Sequence, residues 1–96
     1  MVSLNEIQNQ KGTIIELANR YGIRNIRIFG SFANGDSNEN SDLDLLVTMD
    51  RNRSLLDRIG FMHDLQDLLH IKVDVVNENA LHHLIRQKVI EEGISL

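Results

Sequence analysis

No cysteine and no proline occur in the 96 residues, and neither apolar runs nor positive charge accumulate anywhere along them. The missing cysteine excludes disulfides, thiolate nucleophiles and cysteine-ligated zinc, so any metal must be held by oxygen or imidazole. Without proline, loop punctuation falls to glycine, asparagine and serine. No apolar run exceeds three residues, and the first residues show no charged segment followed by an apolar one, so neither a membrane span nor a secretory leader is expected. The expected compartment is the cytoplasm. Lysine and arginine number 10 against 14 aspartates and glutamates, a formal charge of −4 with the two signs interspersed. That balance offers no broad electropositive surface, and nucleic acid is not expected as a direct ligand. Hydrophobic residues at 42% and charged residues at 25% are ordinary for a globular chain, and the length allows one core. Residues 1–96 are read as a single domain.

Hydrophobic spacing sets out the elements. Ser3-Leu4-Asn5-Glu6 has the spacing of a capping box, and Leu4, Ile7, Ile14, Leu17, Ala18 and Tyr21 recur at helical intervals. They predict one helix ending at Gly22, weakened in its middle by Gly12. Ile23 to Phe29 predicts a strand, in which Ile26 and Ile28 alternate with Asn25 and Arg27. Arg24 and Arg27 then belong to the exposed face of an edge strand, with contact to phosphate or a partner as the other reading. Asn34 to Ser41 is polar or glycine throughout and predicts a loop, followed by a strand from Leu43 to Thr48 buried on both faces. Ser54 is a candidate cap for a helix with Leu55, Ile59, Met62, Leu65, Leu68 and Leu69 as its apolar stripe. Ile71 to Val76, β-branched at four of six positions, predicts another strand. Leu81, Leu84, Ile85, Lys88 and Val89 predict a last helix, ended by Gly93. The order of helices and strands describes an α/β domain without repeats or linkers.

One stretch carries chemistry. Gly30-Ser31 is followed after ten residues by Asp42-Leu43-Asp44. Alternation along a strand points Asp42 and Asp44 the same way, about 6.5–7 Å apart, so that a cation between them relieves their repulsion. Asp74, between Val73 and Val75 in a strand that reads as buried, needs a partner too. If the two strands are neighbours, it becomes a third oxygen ligand. Three carboxylates suit one or two Mg²⁺ ions that orient nucleotide phosphates. Gly30 at a strand end lets backbone approach a phosphate, and a helix starting at Ser31 or Phe32 aims amides at it, with the Ser31 hydroxyl as a further donor. Phosphoryl or nucleotidyl transfer needs little more than a base, for which Asp74 is the candidate by position.

Taken together, Gly30-Ser31, Asp42-Leu43-Asp44 and Asp74 on a later strand resemble the DNA polymerase β-like nucleotidyltransferases. More narrowly they resemble the minimal nucleotidyltransferase (MNT) antitoxins that partner HEPN-domain toxins. The segments IRIFGSFANG, SDLDLLV, VDVV and LIRQKVIEEGISL all look like their counterparts. The resemblance implies a nucleotidyltransferase fold, a small mixed β-sheet flanked by helices. It implies Mg²⁺-dependent transfer of AMP from ATP to a hydroxyl acceptor, typically a tyrosine of the paired toxin. Asp42, Asp44 and Asp74 would be catalytic and metal-binding, and Gly30 and Ser31 nucleotide-binding. Many relatives carry an arginine where this chain has Asn34, which removes one phosphate contact; Arg24 and Arg27 are the candidates to compensate.

Other readings stand beside this one. An antitoxin of this kind can also neutralise its toxin by contact alone, and transfer to a small molecule or an RNA end is a third reading, disfavoured by the acidic balance and the lack of room for an acceptor domain. His63, Asp67 and His70 fall on one side of a helix and read as a solvated face rather than a metal site. His82 and His83 are expected to splay apart on the last helix, and Arg86 and Lys88 to sit near its C-terminus, where they complement its dipole.

Overall fold

The computed structural model describes residues 2–38 and 40–96. The predicted N-terminal helix is two helices, α1 (Leu4–Asn9) and α2 (Lys11–Arg20). The break lies at Gln10, whose backbone leaves the helical region (φ −99°, ψ 14°), and not at Gly12, which sits inside α2. With the bend there, Ile7 and Ile14 both bury completely. Of the expected capping box one half is present, the Glu6 amide donating to Ser3 Oγ at 3.2 Å. Gly22 takes the positive φ of +67° that stops α2.

β1 (Ile23–Phe29) leads into a short helix α3 (Ser31–Asn34), then β2 (Leu43–Met49), α4 (Leu55–Leu69) and β3 (Val73–Asn77). The expected loop from Asn34 to Ser41 starts one residue later, at Gly35, and contains Glu39, which lies outside the described residues. A 3₁₀ turn (Glu78–Ala80), α5 (His83–Glu92) and β4 (Ile94–Ser95) complete the chain. The sheet is mixed, in the order β3-β2-β1-β4, with β1 antiparallel to both its neighbours and β2 parallel to β3. β1 is thus not the edge strand expected, because β4, which the periodicity does not announce, pairs with Arg27 and Ile28.

One face of the sheet carries the core. Ile26 and Ile28, Leu43, Leu45 and Val47, and Val73 and Val75 pack against Ile7, Ile14 and Ala18 from the first two helices and Phe61, Leu65 and Leu69 from α4. α4 starts with the Ser54 cap as expected: its Oγ accepts from the Leu56 amide at 3.2 Å, and Asp57 Oδ2 accepts from the Ser54 amide at 2.9 Å. Leu55, placed on the apolar stripe by spacing, is exposed, while Phe61 is fully buried. Tyr21 reaches across from the end of α2 to α4, its hydroxyl donating to Asp64 at 2.5 Å.

The opposite face is where the expectations change most. On β2 only Leu46 is fully buried there; Asp44 and Thr48 are half-exposed, so β2 is apolar on one face alone. Asp74 is exposed, not buried, because β3 is an edge strand covered on its Val73–Val75 face only. α5 buries none of its residues, and Leu84 and Ile85 are 67% and 55% exposed. Its last turn holds Glu91 and Glu92 and no basic residue, so Arg86 and Lys88 do not serve the helix dipole. His82 lies outside the helix as its cap, accepting from the Leu84 amide at 3.3 Å, and its ring stacks on that of His83 at 4.5 Å where splaying was expected. His70 likewise ends α4 in left-handed backbone (φ +58°), off the helix face it was expected to share with His63 and Asp67. No described helix is long and apolar enough to cross a membrane.

Candidate active site

The parallel register of β2 and β3 sets Leu43 against Val73 and Asp44 against Asp74. Residues directly across a ladder share a face, so the two carboxylates stand side by side on the sheet face away from the core. Asp42 lies two residues before Asp44, exposed at the mouth of the strand. Asp44 is the inner member of the three. Burial holds its pKa above the usual carboxylate value of 3.8, and the Asp74 and Asp42 charges push it further the same way. The structure therefore brings together all three aspartates singled out in the sequence.

From the other side, antiparallel pairing sets Phe29 opposite Asp44, and the chain turns at the next residue. Gly30 has φ 73° and ψ −148°, a region essentially closed to residues with a side chain. The space its Cβ would take is filled by Asp44 Oδ2. The turn feeds α3, where the amides of Ala33 and Asn34 both donate to Gly30 O at 3.1 Å. The Ser31 and Phe32 amides come before the first intrahelical bond and have no partner within the helix. Phe32 is 3% exposed and anchors this turn in the core, fixing Gly30-Ser31 beside the aspartates.

Two clefts flank this site, the first at the Gly30 turn and the second at Asp42. One, of about 330 Å³, lies between α3 and α5 and includes Phe29, Gly30 and Asn34 on one wall and Ile85, Lys88 and Val89 on the other. The second, of about 470 Å³, is lined by Asn40, Ser41, Asp42, His70, Ile71 and Lys72. Sequence reasoning misses Lys72, although its spacing from Asp74 puts it at the same end of β3. Lys88 has no local signal, since only the placement of α5 brings it near Gly30. Arg24 is excluded from the site: it pairs with Asp50 at 3.2 Å, at the opposite end of β1. Arg27 is on the aspartate face, in register with Leu46 and Ser95.

Among the described residues no three acidic or histidine side chains close into a ready-made metal cage. The donors are nonetheless carboxylate oxygens, the inner one with its pKa raised by burial first and by the charges of the other two second. Such a set fits Mg²⁺, which keeps several waters and binds through one or two carboxylates plus substrate phosphates instead of a closed protein cage.

Comparison with known proteins agrees with this geometry. A protein of Methanocaldococcus jannaschii provisionally named a protein adenylyltransferase is 32% identical over 95 residues, 99% of each chain. Protein adenylyltransferase MntA of Thermococcus cleftensis is 39% identical over 79 residues, 82% of this chain and 80% of its own. A solved structure provisionally described as a minimal nucleotidyltransferase superposes with a TM-score of 0.90 at 37% identity, covering 99% of this chain and 97% of that one. A toxin–antitoxin crystal structure with AMP-PNP gives 0.74 at 25% identity over 88% and 70%. The fold alone is shared with a Shewanella oneidensis complex of an MNT antitoxin and a tri-AMPylated HEPN toxin, at a TM-score of 0.67 and 22% identity over 92% and 69%. The family described as "Polymerase beta, Nucleotidyltransferase" matches residues 12–96, so with its glycine-serine turn set against paired aspartates the chain belongs to the polymerase β nucleotidyltransferase family.

Proposed function

We propose that residues 1–96 act as one minimal nucleotidyltransferase domain, a cytoplasmic, Mg²⁺-dependent protein adenylyltransferase. It transfers AMP from ATP to a tyrosine hydroxyl of a HEPN-type toxin and so acts as its antitoxin. The observation that carries the reading is the single rung shared by Asp44 and Asp74, with Asp42 upstream and Gly30-Ser31 pressed against it.

Asp42 and Asp44 hold the metal, with Asp74 as third ligand or as base. Mg²⁺, when bound there, supplies charge neutralisation at the α-phosphate and orients the phosphates. The Ser31 hydroxyl and the amides at the start of α3 hold the tail of ATP, while the glycine at position 30 keeps side-chain bulk away. The tyrosine oxygen forms a bond to the α-phosphorus as the bond to pyrophosphate breaks. The phenolic proton passes to the Asp74 carboxylate, which is exposed and so open to an acceptor arriving from a partner. The relatives named as adenylyltransferases and the HEPN complexes among the structural neighbours support the choice of nucleotide and partner; the tyrosine acceptor rests on the family resemblance.

A second reading, neutralisation by contact alone, is favoured by the neutral Asn34 in the cleft beside Gly30. One experiment separates them: intact mass of the co-purified toxin after incubation with ATP and Mg²⁺, beside an Asp42→Asn/Asp44→Asn control. A gain of one or more AMP masses absent from the control supports transfer. A stable complex with no gain rejects it in favour of contact.

A further inference from the structure

The site is built from three carboxylates, a hydroxyl and backbone amides; Lys72 lines the cleft at Asp42 but not the one at Gly30. A polyphosphate tail laid against Gly30-Ser31 calls for a cationic side chain there, because charge-assisted hydrogen bonds to phosphate are the strong ones. Most described arginines are engaged elsewhere. Arg20 pairs with Glu16, Arg24 with Asp50 and Arg53 with Asp57, and the Arg58 guanidinium donates to Val75 O at 2.6 Å. Arg27 stands in the middle of β1, against Gly93, and does not line the cleft at Gly30.

Lys88 does. It projects from α5 into the cleft that Gly30 and Asn34 share, it makes no ion pair among the described residues, and it is exposed. Phe29, Ala33, Ile85 and Val89 give the cleft apolar walls along which a lysine stem can lie with its ammonium held at the rim. We infer that Lys88 binds the β- and γ-phosphates of the nucleotide, closing over Gly30-Ser31 from the α5 side as the cationic side chain of that cleft. Glu92, one turn further along α5 in the same cleft, opposes it. This inference rests on the nucleotide-binding reading of the site, and it assigns α5 a role there although the helix buries none of its residues.

The test is direct binding of ATP and of AMP to the full chain in the presence of Mg²⁺, with no toxin added. Lys88→Met keeps the stem and removes the charge; it is expected to weaken ATP roughly tenfold, as for loss of a charge-assisted hydrogen bond, and AMP by less than about twofold. Lys88→Arg is expected to retain most of the ATP affinity, and Glu92→Gln to tighten ATP while leaving AMP unchanged. Equal weakening of ATP and AMP by Lys88→Met overturns the inference, because the cleft then holds the nucleoside end. Unchanged ATP binding overturns it too. If the unaltered chain binds neither nucleotide, the nucleotide reading fails and Lys88 falls with it, whereas unaltered ATP binding with an indifferent Lys88→Met removes Lys88 alone.

Discussion

The Asp44 carboxylate occupies the place where a side chain on residue 30 would go, so the glycine and the aspartate are specified together. The turn needs φ 73°, and the closeness of Oδ2 leaves no room for a methyl group even if that backbone strain is accepted. Gly30→Ala is expected to cost about 1–3 kcal/mol of stability from the backbone alone. Because it also displaces the innermost aspartate, AMP transfer should fall by a larger factor than the unfolding midpoint in urea would suggest. Retention of full transfer by this variant would mean that Asp44 need not stand where it does.

Asp44 also ties the site to stability. A carboxyl whose folded-state pKa is raised holds its proton more tightly when folded; stability is greatest below the ordinary value of 3.8 and falls as pH rises from there through the folded pKa. At neutral pH the ionised group opposes folding. Asp44→Asn is therefore expected to abolish transfer while raising the thermal midpoint at pH 7 by a few degrees, with the difference closing below about pH 3.8. Thermal scans of both proteins across pH check this, and a variant less stable than its parent at pH 7 would contradict it.

Metal should act on the same charges. Mg²⁺ bound to the folded state raises the midpoint of the unaltered chain, and does so less for Asp42→Asn/Asp44→Asn, in which the paired charge is gone. Chelation is expected to abolish AMP transfer and readdition of Mg²⁺ to restore it. A midpoint rise of equal size in both proteins would place the metal elsewhere.

Buried and exposed leucines make opposite predictions. Leu65, fully buried on α4, should cost about 2–5 kcal/mol when cut to alanine. Leu84, 67% exposed on α5, should change stability by no more than about 0.5 kcal/mol when replaced by serine. Urea denaturation of the two variants separates them, and a large loss at Leu84 would mean that α5 packs more closely than it does here.

Residues whose signal is local are legible in the sequence alone. The Ser54 cap, the left-handed Gly22, the strand of Ile26 and Ile28 and the glycine-serine turn before Asp42 and Asp44 each depend on neighbours within a few positions. Backbone conformation and side-chain alternation act over that range, so composition and spacing suffice to place them. The family resemblance reaches further, and the matches to known proteins agree with it.

What tertiary structure decided is everything that depends on two distant segments meeting. The parallel register that sets Asp44 beside Asp74 is a property of the sheet, and either strand read alone leaves the pairing open. Asp74 reads as buried because its neighbours are valines; it is exposed because β3 is an edge strand with one covered face. β4 is two residues long, too short for periodicity, and exists because Ile94 and Ser95 find Ile28 and Arg27. Lys88 reads as a charge near the end of a helix stopped by Gly93; the helix does stop there, and it is the packing of α5 against the rest of the fold that carries Lys88 to the cleft beside Gly30. Sequence sets which residues can do chemistry; the hydrogen-bonded ladder and the packing of helices set which of them share a site.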